Sequence, residues 1–168
     1  GDVYKRQGQI PVYYNHLATG RPNDPQKKER YLSKYLDIPN EPLYPFGYGL
    51  SYTGFTISDV ILSSDRLTEN GEITASVCIQ NTGEREGSDV LQLYIRDVTA
   101  SVARPVKELK GIEKVSLKPG EKKEISFRIT EEMLRFVRAD GSYGSEPGKF
   151  RVWISDSSDS GVYQEFIL

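Results

Sequence analysis

The sequence predicts an antiparallel β-sandwich of about seven strands over residues 54–168. Three observations predict it: short apolar–polar alternations of period two, turn residues between them at near-regular spacing, and no sustained helical period.

An opening strand is expected around Phe55–Leu62. Ile73, Ala75, Val77 and Ile79 then alternate with Thr74, Ser76, Cys78 and Gln80, the pattern of a half-buried strand. Asn81-Thr82-Gly83 reads as a turn, because Asn and Gly tolerate positive φ. Leu91, Leu93 and Ile95 form the next apolar face, with Gln92, Tyr94 and Arg96 opposite. Leu109, Ile112, Val115 and Leu117 follow, and their broken spacing places a bulge at Gly111.

Lys118-Pro119-Gly120-Glu121 is a turn in which Pro sets φ and Gly supplies its positive value. Ile125, Phe127 and Ile129 resume the alternation. Thr130–Val137 breaks the pattern and reads as one helical turn capped by Thr130. Glu146-Pro147-Gly148-Lys149 repeats the turn chemistry, Phe150, Val152 and Ile154 face inward, and Val162–Leu168 closes the fold. A sandwich of the immunoglobulin or fibronectin type needs only about 100 residues, so the 168 present leave room for an appendage.

That appendage precedes the sandwich. Six of the nine prolines lie in Pro11–Pro45 and seven of the eleven tyrosines in Tyr13–Tyr52, a composition shift that marks a boundary near residue 53. The segment is too short and proline-rich to enclose a core, yet too aromatic for a free linker, so its rings require a partner surface. Residues 1–7 are set apart. Asp2–Gln7 resembles the in-frame translation of a transposase end used to tag DNA libraries, the alternative being a natural polar terminus.

Composition excludes several functions. Twenty-two Lys and Arg against 24 Asp and Glu give a net charge of −2, with no single-sign field to recruit nucleic acid or an anionic membrane. No apolar run approaches the roughly 20 residues of a membrane-spanning helix. Cys78 is the only cysteine and His16 the only histidine, which rules out an intramolecular disulfide and argues against a zinc site. No motif calls for a cofactor.

Catalytic patterns are missing too. There is no Gly-x-Ser-x-Gly elbow and no His-Glu-x-x-His, and one histidine at residue 16 leaves the sandwich without a Ser-His-Asp set. Glycoside cleavage needs two carboxyls held in opposite protonation states. Glu84, Glu86, Glu121 and Glu124 each sit beside Lys, Arg or Gly and read as solvated turn residues. Asp156–Gly161 reads as a flexible hairpin tip rather than a calcium loop. His16 reads as a hydrogen-bonding loop residue, and Cys78 as a surface or interface thiol without a base to activate it. Tyr94 and Trp153 face away from the core, where they either meet a neighbouring domain or stack on sugar rings.

One string carries a resemblance: Pro42-Leu43-Tyr44-Pro45-Phe46-Gly47-Tyr48-Gly49-Leu50-Ser51-Tyr52-Thr53. It resembles the passage from an α/β sandwich domain into a C-terminal fibronectin type III-like domain in glycoside hydrolase family 3, most like its bacterial periplasmic β-glucosidase branch. Gly8–His16 with Thr19-Gly20-Arg21-Pro22 is similar to a late strand and loop of the α/β sandwich domain. Asn81-Thr82-Gly83, Glu86-Gly87, Val90–Tyr94, Arg104–Gly111 and Leu117–Glu121 are similar to strands and turns of the fibronectin-like domain.

The resemblance implies that residues 8–53 are the end of the α/β sandwich domain plus linker, and that residues 54–168 are the fibronectin-like domain. It implies a retaining, exo-acting β-glycosidase as parent, of β-glucosidase or β-xylosidase type and exported to the periplasm or beyond. The family's nucleophilic Asp and acid/base carboxylate lie in a barrel domain and an α/β sandwich domain upstream, so no catalytic role falls on any residue here.

The implied partners are those upstream domains of the same polypeptide, the parent's oligosaccharide substrate and a second copy in a homodimer. Tyr44, Phe46, Tyr48, Leu50, Tyr52, Tyr94 and Trp153 are the candidate interface residues. Lys34 stands where the family often has Arg, and Asp140–Ser145 is less apolar than the family's version.

Overall fold

The computed structural model describes residues 5–18, 20–21, 26 and 31–168. Asp2–Tyr4 of the tag-like hexapeptide, and Thr19 and Pro22 of the Thr-Gly-Arg-Pro string, lie outside the described residues.

Among the described residues ten strands run β1 (Phe55–Ile57), β2 (Ile61–Leu62), β3 (Glu72–Asn81), β4 (Gly87–Asp97), β5 (Glu108–Leu117), β6 (Lys122–Thr130), β7 (Phe136–Val137), β8 (Tyr143–Gly144), β9 (Lys149–Ser155) and β10 (Gln164–Ile167). All named pairings are antiparallel. In the first sheet β3 is central, with β6 along one side and β1 and β2 in succession along the other. The second sheet has the order β10-β9-β4-β5, and β7 with β8 makes a small ribbon. Counting β1 and β2 as one interrupted strand and setting the ribbon aside, the two sheets contain seven strands.

The interruption has a local cause. Ser58 N donates to Cys78 O at 2.9 Å, while Ser58 Oγ accepts from Cys78 N at 2.9 Å. A side-chain oxygen thus replaces a backbone acceptor on the ladder, and Val60 turns into the core.

The core is the expected one along most strands. Ile73, Ala75, Val77 and Ile79 of β3 face Leu91, Leu93 and Ile95 of β4, with Phe150, Val152, Ile154 and Phe166 beside them, all buried. The Phe150 and Phe166 rings stack at 5.3 Å. Each Val, Leu, Ile or Phe among them contributes on the order of 1.5–3 kcal/mol through its removal from water. Cys78 lies on the outer face of β3, exposed to solvent.

Several expectations need correction. The bulge itself is where the spacing placed it, at Lys110–Gly111, with Leu93 paired to Gly111 and Tyr94 to Leu109. This extra residue turns Ile112 outward, where it is exposed instead of joining the core, and leaves Leu109 only half-buried. Gly111 allows a close approach, since a Cβ there would meet the Phe127 ring at 3.1 Å.

The turn at Lys118–Glu121 forms as read, with Gly120 at φ 75° and Glu121 N bonded to Lys118 O. Gly148 does not repeat that role. Its N–H and C=O both pair with Leu168, and its φ is not positive. Within 130–137 only Glu131–Leu134 is helical, as one 3-10 turn. Thr130 occupies its N-cap without a side-chain bond, and Phe136–Val137 is already strand. The buried Glu131 carboxylate instead accepts from Arg135 at 2.6–3.1 Å and from Ser145 Oγ at 2.5 Å.

Neither Asn81 nor Gly83 adopts positive φ. Asn81 ends β3, fully buried, and its amide joins four segments. Nδ2 donates to Arg85 O (2.7 Å) and Leu117 O (2.9 Å), while Oδ1 accepts from Thr53 Oγ1 (2.7 Å) and Gly83 N (3.0 Å). Gly83 is required because a Cβ would lie 2.2 Å from Thr53 Oγ1. Removing the amide strands buried backbone partners, so Asn81→Ala should lower unfolding free energy by about 2 to 3 kcal/mol. Urea denaturation measures this, and an unchanged midpoint would contradict the assignment.

Candidate functional site

β4 is buried on both faces from Leu91 to Ile95, and β9 is buried from Val152 to Ser155. Alternation alone leaves the even-numbered β4 side chains on the outside of the sandwich. Something must cover them, and it is the segment that precedes the sandwich.

Tyr94 and Trp153 are cross-strand partners on this outer face, with Gln92 opposite Ser155 and Arg96 opposite Arg151. The Tyr14 ring stacks on Phe46 at 4.5 Å and meets Tyr94 edge-on at 5.8 Å. Such ring pairs add about 0.5–1.5 kcal/mol each beyond the area they bury. The backbone adds three bonds: Val106 N to His16 O, Ser158 N to Phe46 O and Leu109 N to Tyr14 Oη. Leu17 and Pro105 form an antiparallel bridge alongside.

A polar chain runs under the rings. The Tyr94 hydroxyl donates to Gln92 Oε1, and Gln92 Nε2 donates to Asp156 O at 2.7 Å. Burial, then the neighbouring Tyr14 and Asp156, hold that hydroxyl protonated well above the ordinary tyrosine range. Gly47 lies against Gln92 at φ 83°, where a Cβ would meet the Gln92 amide at 2.4 Å. Glycine is therefore required twice, by conformation and by space.

Lys107 seals the other end. Its Nζ lies 4.6 Å from the centre of the Trp153 ring and 5.7 Å from that of Tyr94, and it donates to Ser158 O at 2.6 Å. Burial pushes its ammonium below the ordinary lysine range, with Asp159 opposing. Tyr163 packs on Trp153 at 5.4 Å. Both aromatic rings are thus occupied, Trp153 at 8 % exposure and Tyr94 at none.

Asp156–Gly161 is no free hairpin tip. Ser157 is buried, Ser160 Oγ bonds Asp156 Oδ1 at 2.5 Å, and the loop carries the acceptors and donor that hold Gln92, Lys107 and Phe46. His16 is exposed, with Nδ1 3.0 Å from Leu17 O.

The other interface candidates point the opposite way. Phe46 is half-buried, but Tyr44 and Tyr48 are 45 and 49 % exposed with rings 4.9 Å apart, and Leu50 and Tyr52 are 90 and 95 % exposed. The linker therefore has an inner side against the sandwich and an outer apolar side facing solvent. Elsewhere in the segment Gln9, 4 % exposed, joins two described stretches, its Nε2 donating to Pro39 O and Glu41 O at 2.8 and 2.9 Å.

Asp89 was not legible in the sequence. It lines a cavity of about 330 Å³ with Asp156 behind linker residues Gly47–Ser51. Burial chiefly, with Asp156 adding, raises its carboxyl above the ordinary 3.8, while the bond from Val90 N works the other way. Glu84, Glu86, Glu121 and Glu124 are all exposed.

Two predictions follow from this geometry. Gly47→Ala should loosen the clasp, seen as faster proteolysis between residues 18 and 46 and a lower Tm; unchanged cleavage would contradict the packing. For Asp89, the folded state holds the proton more tightly than the unfolded chain. Its charge therefore costs stability once pH exceeds 3.8, up to a full cost above the raised folded value. Asp89→Asn should raise Tm at neutral pH and lose that gain below 3.8; a gain independent of pH would refute the linkage.

Residues 89–158 match the fibronectin type III-like domain family. The periplasmic beta-glucosidase of Salmonella typhimurium is 59 % identical over 151 residues, covering 90 % of this chain and 20 % of the relative. A beta-xylosidase of Formosa agariphila is 37 % identical over 155 residues, again 90 % of this chain and 20 % of the relative. The crystal structure of a beta-glucosidase from Listeria innocua in complex with glucose superposes with a TM-score of 0.88 at 48 % identity, covering 95 % of this chain and 22 % of that one. The chain spans about a fifth of the length of the relatives it matches.

Proposed function

We propose a structural role for this chain, a relative of the C-terminal fifth of glycoside hydrolase family 3 enzymes that carries a fibronectin type III-like domain. In this reading the sandwich is a rigid buttress for catalytic domains upstream in the same polypeptide, and it contributes no catalytic group. Residues 8–53 are the end of an α/β sandwich domain with its linker, and residues 54–168 are the buttress.

One observation carries the reading: Tyr14, early in the preceding segment, meets Tyr94 on the outer face of β4, and Phe46, late in it, stacks on Tyr14 and accepts from Ser158 N. A segment anchored at both ends cannot swing as a free linker does, so whatever it belongs to is held at a set angle to the sandwich. Tyr44, Tyr48, Leu50 and Tyr52, exposed on the linker's other side, are the residues by which the upstream domains would dock. The alternative, a sugar-stacking module, has the geometry against it, because Tyr94 and Trp153 already pack against Tyr14, Lys107 and Tyr163.

The parent activity proposed is hydrolysis of terminal β-D-glycosyl residues with retention, in the periplasm. The names of the relatives support this class while leaving glucoside or xyloside open. By itself the chain should release no nitrophenol from nitrophenyl β-glucoside or β-xyloside. Fused to the upstream four-fifths of the Salmonella relative it should support turnover. Tyr94→Ala in that fusion should lower the inactivation temperature and leave KM unchanged. Hydrolysis by the chain alone, or an effect confined to KM, would overturn the structural role.

A further inference from the structure

The largest described cavity, about 680 Å³, lies away from the clasp, between the β2–β3 loop, the 3-10 turn and the β7–β8 ribbon. Three guanidiniums reach it from three elements. Arg66 stands in the β2–β3 loop, held by its bridge to Ile167; Arg135 follows the 3-10 turn; Arg138 follows β7.

Their donors are unequally used. Nε and Nη2 of Arg135 are committed to the buried Glu131 carboxylate, which is thereby neutralised. Arg138 donates one Nη2 bond to Ser145 O, while its buried Nε has no hydrogen-bond partner and lies 3.9 Å from Glu146. The Glu146 carboxylate is already taken by Ser101 N and Oγ at 2.8 and 2.6 Å. The Arg66 guanidinium has no partner among the described residues. The opposing charges are Glu131 and Glu69, which line the cavity, and Glu146 and Asp140 beside Arg138. Tyr143 stands at the lip, 67 % exposed, and Gly144 beside it leaves room for the Arg138 guanidinium, which a Cβ would meet at 2.7 Å.

We propose that this recess binds a sugar acid, a pyranose bearing one carboxylate. Arg66 and Arg138 take the carboxylate, and Tyr143 supplies an aromatic surface for the ring. Planar guanidiniums with spare donors match a carboxylate in a way that single ammonium groups do not. The volume falls within the usual range for small-ligand sites. The site shares no residue with the clasp and stands whether or not the buttress reading holds.

Titrating the full chain with glucuronate, glucose and inorganic phosphate, followed by amide NMR shifts, tests it. Glucuronate should bind with a Kd of about a millimolar, and glucose and phosphate at least about tenfold more weakly. Arg66→Ala, chosen because its side chain holds nothing else, should weaken glucuronate about tenfold without moving Tm. Tyr143→Ala should weaken it while leaving phosphate unaffected. Phosphate binding as tightly as glucuronate would reduce the recess to an anion patch. Equal binding of glucose, full affinity in Arg66→Ala, or no glucuronate shifts at all would each overturn the proposal.

Discussion

Everything about this molecule depends on the double burial of β4. A central strand of a free-standing sandwich presents one face to the core and one to water. Here Gln92 and Tyr94, on the face that alternation assigns to solvent, are buried as Leu91 and Leu93 are on the other. Burying a phenol and an amide costs free energy unless their hydrogen bonds are replaced. The Tyr94–Gln92–Asp156 chain replaces them, and the rings of Tyr14 and Phe46 keep water out. Without the preceding segment, the same strand would expose an aromatic, polar-cored patch with no partner.

That arrangement explains the linker's odd composition. Proline and glycine set an irregular path, and the aromatics between them divide by direction. Phe46 and Gly47 serve the sandwich, whereas Tyr44, Tyr48, Leu50 and Tyr52 remain outside. Asn81 extends the same seam to the far end of the domain, because its amide receives Thr53 at the point where the linker becomes strand. The chain thus enters the sandwich through the close packing of Gly47 on Gln92 and the hydrogen bond from Thr53 to Asn81, with an exposed apolar stretch between them. Such a join fixes the orientation of the segment on the sandwich.

Much of this was legible in the sequence, and the failures have identifiable causes. Period-two alternation located β3, β4, β6 and β9 because a sheet with one core face writes that pattern directly. Ile112 was misplaced because a single inserted residue at Lys110–Gly111 reverses every side chain beyond it. Asn81 and Gly83 look like generic turn formers, and their real constraints come from Thr53, Arg85 and Leu117, all distant in the chain or across the turn. The loop at Asp156–Gly161 read as a mobile tip because its composition is polar, but its bonds run to Gln92, Phe46 and Lys107. Glu131 and Arg135 stand at the i, i+4 spacing of an ion pair, a signal that was available. Asp89 left no signal, since its environment is assembled from the linker and a remote loop.

The double burial of β4 requires the preceding segment to be docked on the sandwich in solution, and hydrogen exchange tests that most directly. The amides of Val106 and Ser158 donate to His16 O and Phe46 O, across the seam itself. In the intact chain they should be protected; in Tyr94→Ala they should exchange rapidly while the β3–β6 amides keep their protection. Free exchange of Val106 and Ser158 in the unaltered chain, with the β3–β6 ladder protected, would show that the segment is not docked on β4.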